Sequence, residues 1–331
     1  MPPKKNLYWK RYDLFYKKYS KKDLYQKLKS NCYRLGLPYK KKDNRGRKPK
    51  FSPYDYASFL CLQKIFRNKY REMELESTLY LPDKADHSTF ARNYEKIPEE
   101  YLERLIESLV DREFSIWIAD STAMSSKIRV ERTREGIRKK ELLNDKYHLI
   151  LGYDPPTNTT MIIGAKATDN HVSDSKGAIK ILKNKKSNAY FLGDSAYNTY
   201  ELHEVIKEVG LYPLIKPDKK GIRKKLSVKA RNVKLFSKKI YKEIRGIVET
   251  TFGGSTNAGL ILSYAKKEHT RRLDTLILAV RHNLMASMRM LFRFFCATNS
   301  VFGTVVSPEK NFANFNDPFF IVKLKSKIRI I

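Results

Sequence analysis

Phe114-Ser-Ile-Trp-Ile-Ala-Asp-Ser-Thr122 is the stretch on which the fold turns. An apolar run of strand length ends in an acid, Asp120, followed by two small hydroxyl residues. Short apolar runs bounded by polar residues read as buried strands. A second such run, Ala189-Tyr-Phe-Leu-Gly193, ends in Asp194. Between the two lie strand-like segments at 147–153 and 159–166, joined by a turn through Thr157-Asn158, and then a helix over 173–183. A helix at 198–209 and a strand at 211–216 follow. After a basic loop come helices at 237–252, which carries Glu249, and 270–295.

Three consecutive strands followed by alternating helices and strands predict an α/β layer architecture. A hairpin-linked meander leading into parallel strands is the order of a ribonuclease-H-like mixed sheet flanked by helices. The sheet and its helices are expected to fill a catalytic domain over residues 113–295. The last helix carries the stripe Leu273, Leu276, Ile277, Val280, Leu284, Met288 and Leu291, which reads as core packing. A tail over 296–331 has a strand-like pattern from Phe319 to Leu324 and no chemistry of its own.

Toward the N-terminus the chain is helical and then basic. Residues 99–111 follow Ile97-Pro98 and place Leu102, Leu105, Ile106, Leu109 and Val110 on one stripe. Asp86-His-Ser-Thr-Phe90 is a further helix start. Ser52-Pro53 is another, with serine as cap and proline in the first turn. The helices of residues 51–112 fit two readings, a small helix-turn-helix DNA-binding domain or plain packing onto the next domain. Residues 1–50 form a basic N-terminal arm, with 18 Lys+Arg against Asp13, Asp23 and Asp43. Tyrosines and leucines interleaved through it leave room for short helices. Arg45-Gly-Arg-Lys-Pro-Lys50 reads as a linker, and Arg45, Arg47 and Lys48 are candidate DNA contacts of the kind made by arms in a minor groove.

The chain of 331 residues has 67 Lys+Arg and 35 Asp+Glu, a net charge of +32. Such an excess speaks of partners rather than fold, and polyanions such as nucleic acid come first. Three scattered cysteines, Cys32, Cys61 and Cys296, make neither a zinc spacing nor a disulfide framework, which points to a reducing compartment. The opening Met-Pro-Pro-Lys-Lys-Asn lacks the apolar core of a signal peptide, so a cytoplasmic location is expected. Leu273 to Cys296 is interrupted by Arg281, His282, Arg289 and Arg293 and makes a poor membrane span.

Asp120, Asp194 and Glu249 are the candidate catalytic and metal-binding residues. Phosphodiesters repel nucleophiles, and two divalent ions about 3.5–4 Å apart overcome this by activating the nucleophile and stabilising the leaving oxygen. Magnesium favours carboxylate oxygens for such work. Each acid also has a plainer reading. Asp120 and Asp194 fit strand-end turns or caps, and Glu249, four residues after Arg245, fits a helical ion pair. The three together, inside so cationic a chain, favour a metal site acting on nucleic-acid phosphate.

Ile118-Ala-Asp-Ser-Thr122, Leu192-Gly-Asp-Ser-Ala-Tyr197 and Arg245-Gly-Ile-Val-Glu-Thr-Thr-Phe252 resemble the three signature blocks of DDE transposases of prokaryotic insertion sequences. The nearest group has a Tyr-x2-Arg-x3-Glu-x6-Lys motif around its last acid. Arg245 and Glu249 match it; Lys242 stands at the tyrosine position with Tyr241 beside it, and Thr256 stands at the lysine position. Lys266 or Lys267 is a candidate substitute for that charge. The likeness spans roughly residues 86–290, and Tyr70-Arg-Glu-Met-Glu74 with His87-Ser-Thr-Phe-Ala-Arg92 resembles the helical block that precedes the catalytic domain in this group. Only 55 positions separate Asp194 from Glu249, which leaves no space for a large insertion domain.

The resemblance implies a DNA transposase. Water would cut the element end, and the freed 3′ hydroxyl would attack target DNA. Asp120 and Asp194 would share two Mg²⁺ ions, or Mn²⁺ in their place, with Glu249 completing the set. Arg245 would touch a phosphate near the scissile bond. Tyr197 fits two readings, stacking on an unpaired base near the cut or plain packing. Double-stranded DNA is the implied partner, held by a homodimer in the prokaryotic cytoplasm at the nucleoid. Residues 216–242 hold 12 Lys+Arg and one acid, and Arg223, Lys224 and Lys225 in it are candidate DNA contacts. Arg129, Arg132, Arg134, Arg138, Lys139 and Lys140 form a second basic run between the first two strands, read as a solvated hairpin tip or, favoured by its basic neighbours, as a DNA contact. Asp169 and Asp174 compete with Glu249 as third ligand, and His148 and His171 read as structural. Two rival functions are another ribonuclease-H-like metal-dependent nuclease and a DNA-binding protein with a decayed site.

Overall fold

The computed structural model of the chain describes residues 14–15, 17–40, 50–134, 137–217, 232, 236–257, 263 and 265–300. In chain order the elements are α1 (Lys21–Leu35), α2 (Pro53–Ile65), α3 (Tyr70–Tyr80), α4 (His87–Tyr94), α5 (Glu99–Ser108), β1 (Ile116–Arg134), β2 (Ile137–Asp154), β3 (Thr159–Asp169), α6 (Asp174–Leu182), β4 (Tyr190–Gly193), α7 (Tyr200–Val209), β5 (Tyr212–Ile215), α8 (Lys238–Asn257) and α9 (Glu268–Ser300). The described residues fall into two compact units. One holds those up to Asp111 together with those from Ala265 onward, and the other those between.

The first unit is all helical. Ser20 and Asp23 close a capping box at the start of α1, each side chain accepting the other's backbone N–H. Ser52 caps α2 with Pro53 in its first turn, as the sequence predicts, and Asp86 caps α4. The stripe on α9 is buried at Leu273, Leu276, Ile277, Val280, Leu284 and Met288. It packs on α5, α2 and α1, and Asn283 Nδ2 donates to the Ile106 carbonyl at 2.9 Å. The compact units thus divide at Asp111 and again before Ala265, and α9, placed by the sequence reading in 113–295, buries its apolar face among the helices of the first unit. Leu291 leaves the stripe and is exposed. Among the described residues no helix is long and apolar enough to cross a membrane.

The second unit is built on a five-stranded sheet in the order β3-β2-β1-β4-β5. β1–β2 and β2–β3 pair antiparallel, while β1–β4 and β4–β5 pair parallel. This is the mixed ribonuclease-H-like arrangement expected from the strand order. The first two strands are far longer than their apolar runs. They stay paired from Ile116↔Tyr153 out to Arg134↔Ile137, with one register shift between Ser125 and Arg129. The basic run from Arg129 to Lys140 thus lies largely within paired strands, not in a loop. Backbone ladders need no apolar side chains, so the extension leaves no hydrophobic signal.

Alternation divides β1 and β2 between two faces. Ser121 and His148, which pair across the strands, face α6; a Cβ on Gly177 of α6 would meet the His148 ring at 2.3–2.6 Å, so only glycine fits there. Asp120, Tyr147 and Leu149 take the opposite face, where the Tyr147 ring meets Phe252 of α8 edge-on at 6.1 Å.

His148 is buried, as a structural residue should be. Its Nε2 lies 2.9 Å from Thr168 Oγ1, and its Nδ1 has no hydrogen-bond partner. Burial pushes its pKa down to about 4, aided by Lys146 and Lys180 and opposed by Asp174. The unfolded imidazole titrates near 6.5. Stability from this group is therefore full above pH 6.5 and is lost as the pH falls through 4. Urea unfolding at pH 5 should show about 2 kcal/mol less stability from His148 than at pH 7. His148→Leu should remove that part of the pH dependence; equal losses in wild type and variant would assign it to other groups.

Candidate active site

The two aspartates are brought together by strand register. β1 and β4 run parallel, with Ile116 opposite Tyr190, Trp117 opposite Phe191 and Ile118 opposite Leu192. Asp120 and Asp194 each lie two residues beyond the last of these pairs, so they emerge at the same end of neighbouring strands. Ligand sites of open α/β sheets favour the carboxyl ends of parallel strands. The cleft there is lined by Ile118, Ala119, Asp120, Leu192, Gly193, Asp194, Tyr241, Arg245 and Val248.

Each carboxylate is anchored by one backbone N–H. Asp120 Oδ1 accepts from the Ser121 nitrogen at 2.8 Å. Asp194 caps the 3-10 turn Ser195–Tyr197, its Oδ1 accepting from the Ala196 nitrogen at 2.9 Å. Burial raises the Asp120 carboxyl above its usual range, and the charges of Asp194 and Asp174 add to this, while the Ser121 N–H and Arg245 act against it. A half-buried carboxylate with like-charged neighbours is an environment that a cation relieves.

The Gly-Asp-x-x-Tyr block has a packing reason. A Cβ on Gly193 would lie 2.9 Å from Tyr197 Cβ and Cγ. Tyr197 is 2% exposed, beneath the strand end. Burial pushes its hydroxyl well above the usual tyrosine range, with Asp174 and Asp120 adding to the shift and Ser121 opposing it. The ring presents no open face on which a base could stack in this conformation, which agrees with the packing reading of the two that the sequence offers.

α8 supplies the positive wall. Its buried stripe is Tyr241, Ile244 and Val248. Arg245 Nη1 donates to Tyr241 Oη at 2.6 Å, and Nε donates to Glu249 Oε1 at 3.3 Å. Burial works against the Arg245 charge, but Tyr241, Asp120 and Asp194 more than offset it and raise its pKa. Tyr241, one place before the motif's tyrosine position, is thus the residue that holds the arginine. The sequence signal was its spacing of four from Arg245, which puts the two side chains on one helix face.

Glu249 stands apart. At 100° per residue it lies roughly 80° around the helix from Tyr241. Its side chain is 64% exposed and pairs with Arg245, and it does not line the cleft. Among the described residues, the one trio of His, Cys, Asp or Glu with ligand atoms mutually within 4.8 Å is Glu74, Asp86 and His87 in the helical unit. The structure therefore gathers Asp120, Asp194 and Arg245 along one cleft and leaves Glu249 outside its lining, paired with Arg245.

Asp174, the rival third ligand, is already occupied. Its Oδ1 receives Ser121 Oγ and Lys146 Nζ, both at 2.5 Å. Asp169 and His171 are exposed. Lys267 pairs with Glu95 within the helical unit at 2.6 Å. Arg45, Arg47, Lys48, Arg223, Lys224 and Lys225 lie outside the described residues, as does the tail beyond residue 300.

A search of curated proteins finds no match. A solved chain, from a cryo-EM structure of a piggyBac transposase synaptic complex with hairpin DNA, is similar over 88% of this chain and 85% of that one, at 9% identity and a TM-score of 0.38. The profile of the Transposase DDE domain family matches residues 113–284, which takes in both strand-end aspartates, Arg245 and Glu249. With that match over more than half of its length, the chain belongs to the Transposase DDE domain family, whose members are enzymes of DNA cleavage and strand transfer that depend on divalent metal.

Proposed function

We propose that this chain is an insertion-sequence transposase that cuts double-stranded DNA at the element's ends and joins the freed 3′ ends to target DNA, using two Mg²⁺ ions. The observation that carries the reading is the register of β1 and β4, which sets Asp120 beside Asp194 and opposite Arg245. The donors suit the metal. Two carboxylates, each with one oxygen on a backbone N–H, leave hard oxygen ligands facing a cleft, and Mg²⁺ takes few protein ligands and keeps its waters. Mn²⁺ shares that preference for oxygen and substitutes for it. When bound, such ions supply activation of the attacking oxygen and stabilisation of the departing one.

The chain's own residues do the rest. Asp120 and Asp194 hold the charge that draws the cations in. Arg245 offers its guanidinium to a phosphate beside the cut. A phosphate there competes with Glu249 for Arg245, and the released carboxylate, on an exposed and rotatable side chain, turns toward the aspartates as third ligand. The basic segments before α8 and in the N-terminal arm grip the DNA backbone. Two copies of the chain bring two ends together, in the prokaryotic cytoplasm at the nucleoid.

The test is a plasmid that carries the element's ends, incubated with the protein and Mg²⁺ or Mn²⁺. Cuts that leave 3′ hydroxyls at those ends, strand-transfer products and arrest by EDTA are expected. Cutting without regard to the ends would make the protein a general nuclease, and DNA binding without any metal-dependent cutting would make it a binding protein with a lost site.

A further inference from the structure

Behind the cleft, on the α6 face of the sheet, lies a half-buried polar cluster that the strand-end chemistry does not use directly. Ser121 follows Asp120, so its side chain takes the opposite face. Its Oγ donates to Asp174 Oδ1 at 2.5 Å. The same oxygen receives Lys146 Nζ from β2 at 2.5 Å, and Lys146 also donates to the Val172 carbonyl at 3.3 Å. Asp174 begins α6, where the helix dipole favours a carboxylate. Three elements, β1, β2 and α6, therefore meet at one carboxylate directly behind Asp120.

We propose that Asp174 is a positioning residue: through Ser121 it fixes the end of β1 so that Asp120 meets Asp194 in a geometry ready for a divalent cation. This rests on the reading of the cleft as a metal-dependent nuclease site. The path is short. Asp120 Oδ1 is held by the Ser121 N–H, so whatever fixes the Ser121 backbone also fixes the Asp120 rotamer. Asp174 fixes Ser121 by its side chain and is itself balanced by Lys146. Burial pushes the Asp174 carboxyl up, but the bonds from Lys146 and Ser121 outweigh that and hold it ionised. Its negative charge also helps to raise Asp120, which strengthens the pull on a cation. Asp174 Oδ1 already holds two donors, and its partner Ser121 faces away from the cleft, which suits a positioning role better than that of a ligand.

Supporting partners behind a ligand set affinity through its orientation, typically by about 10–100-fold. The experiment compares full-length wild type, Ser121→Ala, Asp174→Asn and Ser121→Thr. One readout is Mn²⁺ binding to the DNA-free protein by electron paramagnetic resonance; the other is the Mg²⁺ dependence of cutting on end-bearing DNA. Ser121→Ala and Asp174→Asn should each weaken Mn²⁺ binding about tenfold and raise the Mg²⁺ half-saturation by a similar factor, with the maximal rate within about threefold of wild type. Ser121→Thr, which keeps the hydroxyl, should bind and cut as wild type does. Melting curves check the fold, and where Ser121→Ala does not fold, Asp174→Asn and Ser121→Thr carry the comparison.

The proposal is overturned if both variants bind Mn²⁺ like wild type. It is overturned too if Asp174→Asn is dead at every Mg²⁺ concentration while Ser121→Ala is normal, since that pattern marks Asp174 as a ligand. A wild type that cuts while the variants match it removes only this proposal. A wild type that neither cuts nor binds Mn²⁺ removes the nuclease reading with it.

Discussion

Asp120→Asn is expected to lower strand cutting by about 10³-fold or more, roughly 4 kcal/mol in activation free energy, while DNA binding stays within about twofold. Asparagine keeps the shape and can still accept the Ser121 N–H, but it brings no charge to a cation. DNA affinity comes from phosphate contacts by lysine and arginine, which the change does not touch. The fold should not suffer either. Burial together with Asp194 and Asp174 raises the Asp120 carboxyl, so its folded-state pKa lies above the unfolded one. The ionised form at neutral pH therefore works against folding, and a neutral amide relieves it. The variant should melt at or above the wild-type temperature. Loss of cutting together with a lower melting temperature would mean that the substitution broke the fold rather than the chemistry. Undiminished cutting would remove Asp120 from the site.

Glu249→Gln carries the second large effect, a loss in cutting of about a hundredfold or more, close to 3 kcal/mol. The structure makes this a demanding test, because Glu249 does not line the cleft and its visible partner is Arg245. An exposed ion pair four residues apart on a helix contributes only about 0.3–0.5 kcal/mol. If that pair were the whole role of Glu249, the variant would melt almost unchanged and cut almost normally. A side chain freed to join the two aspartates in the DNA complex predicts the same melting curve and a collapse of cutting. The two roles are thus separated by activity at equal stability. Normal cutting by Glu249→Gln would take it out of the metal site and leave it as a helical ion pair.

Much of the sheet was legible. The apolar runs ending at Asp120 and Asp194 register burial on both faces, and the distance between them holds a meander and one helix, which restricts the topology. The outer halves of β1 and β2 were not legible, because pairing there rests on backbone hydrogen bonds and leaves no apolar trace. Tyr197 was readable as part of a motif but not as a buried ring, since a tyrosine closing a strand-end turn can face either way. Only the contact with Gly193 settles it. Tyr241 was visible beside the expected motif position, and helix geometry explains how a place one residue earlier can serve the same arginine.

By itself the amino-acid sequence determined which residues are apolar enough to be buried, where strands end in acids, and that so cationic a chain answers to a polyanion. These are local properties, set by side-chain chemistry and by the periods of helix and strand. Tertiary structure alone decided which surfaces meet. It sent the stripe of α9 to the helices, turned Glu249 toward Arg245, and gathered Ser121, Lys146 and Asp174 behind Asp120. Burial can be read from a pattern, but the identity of the partner depends on contacts between residues far apart in the chain, and no local period encodes those.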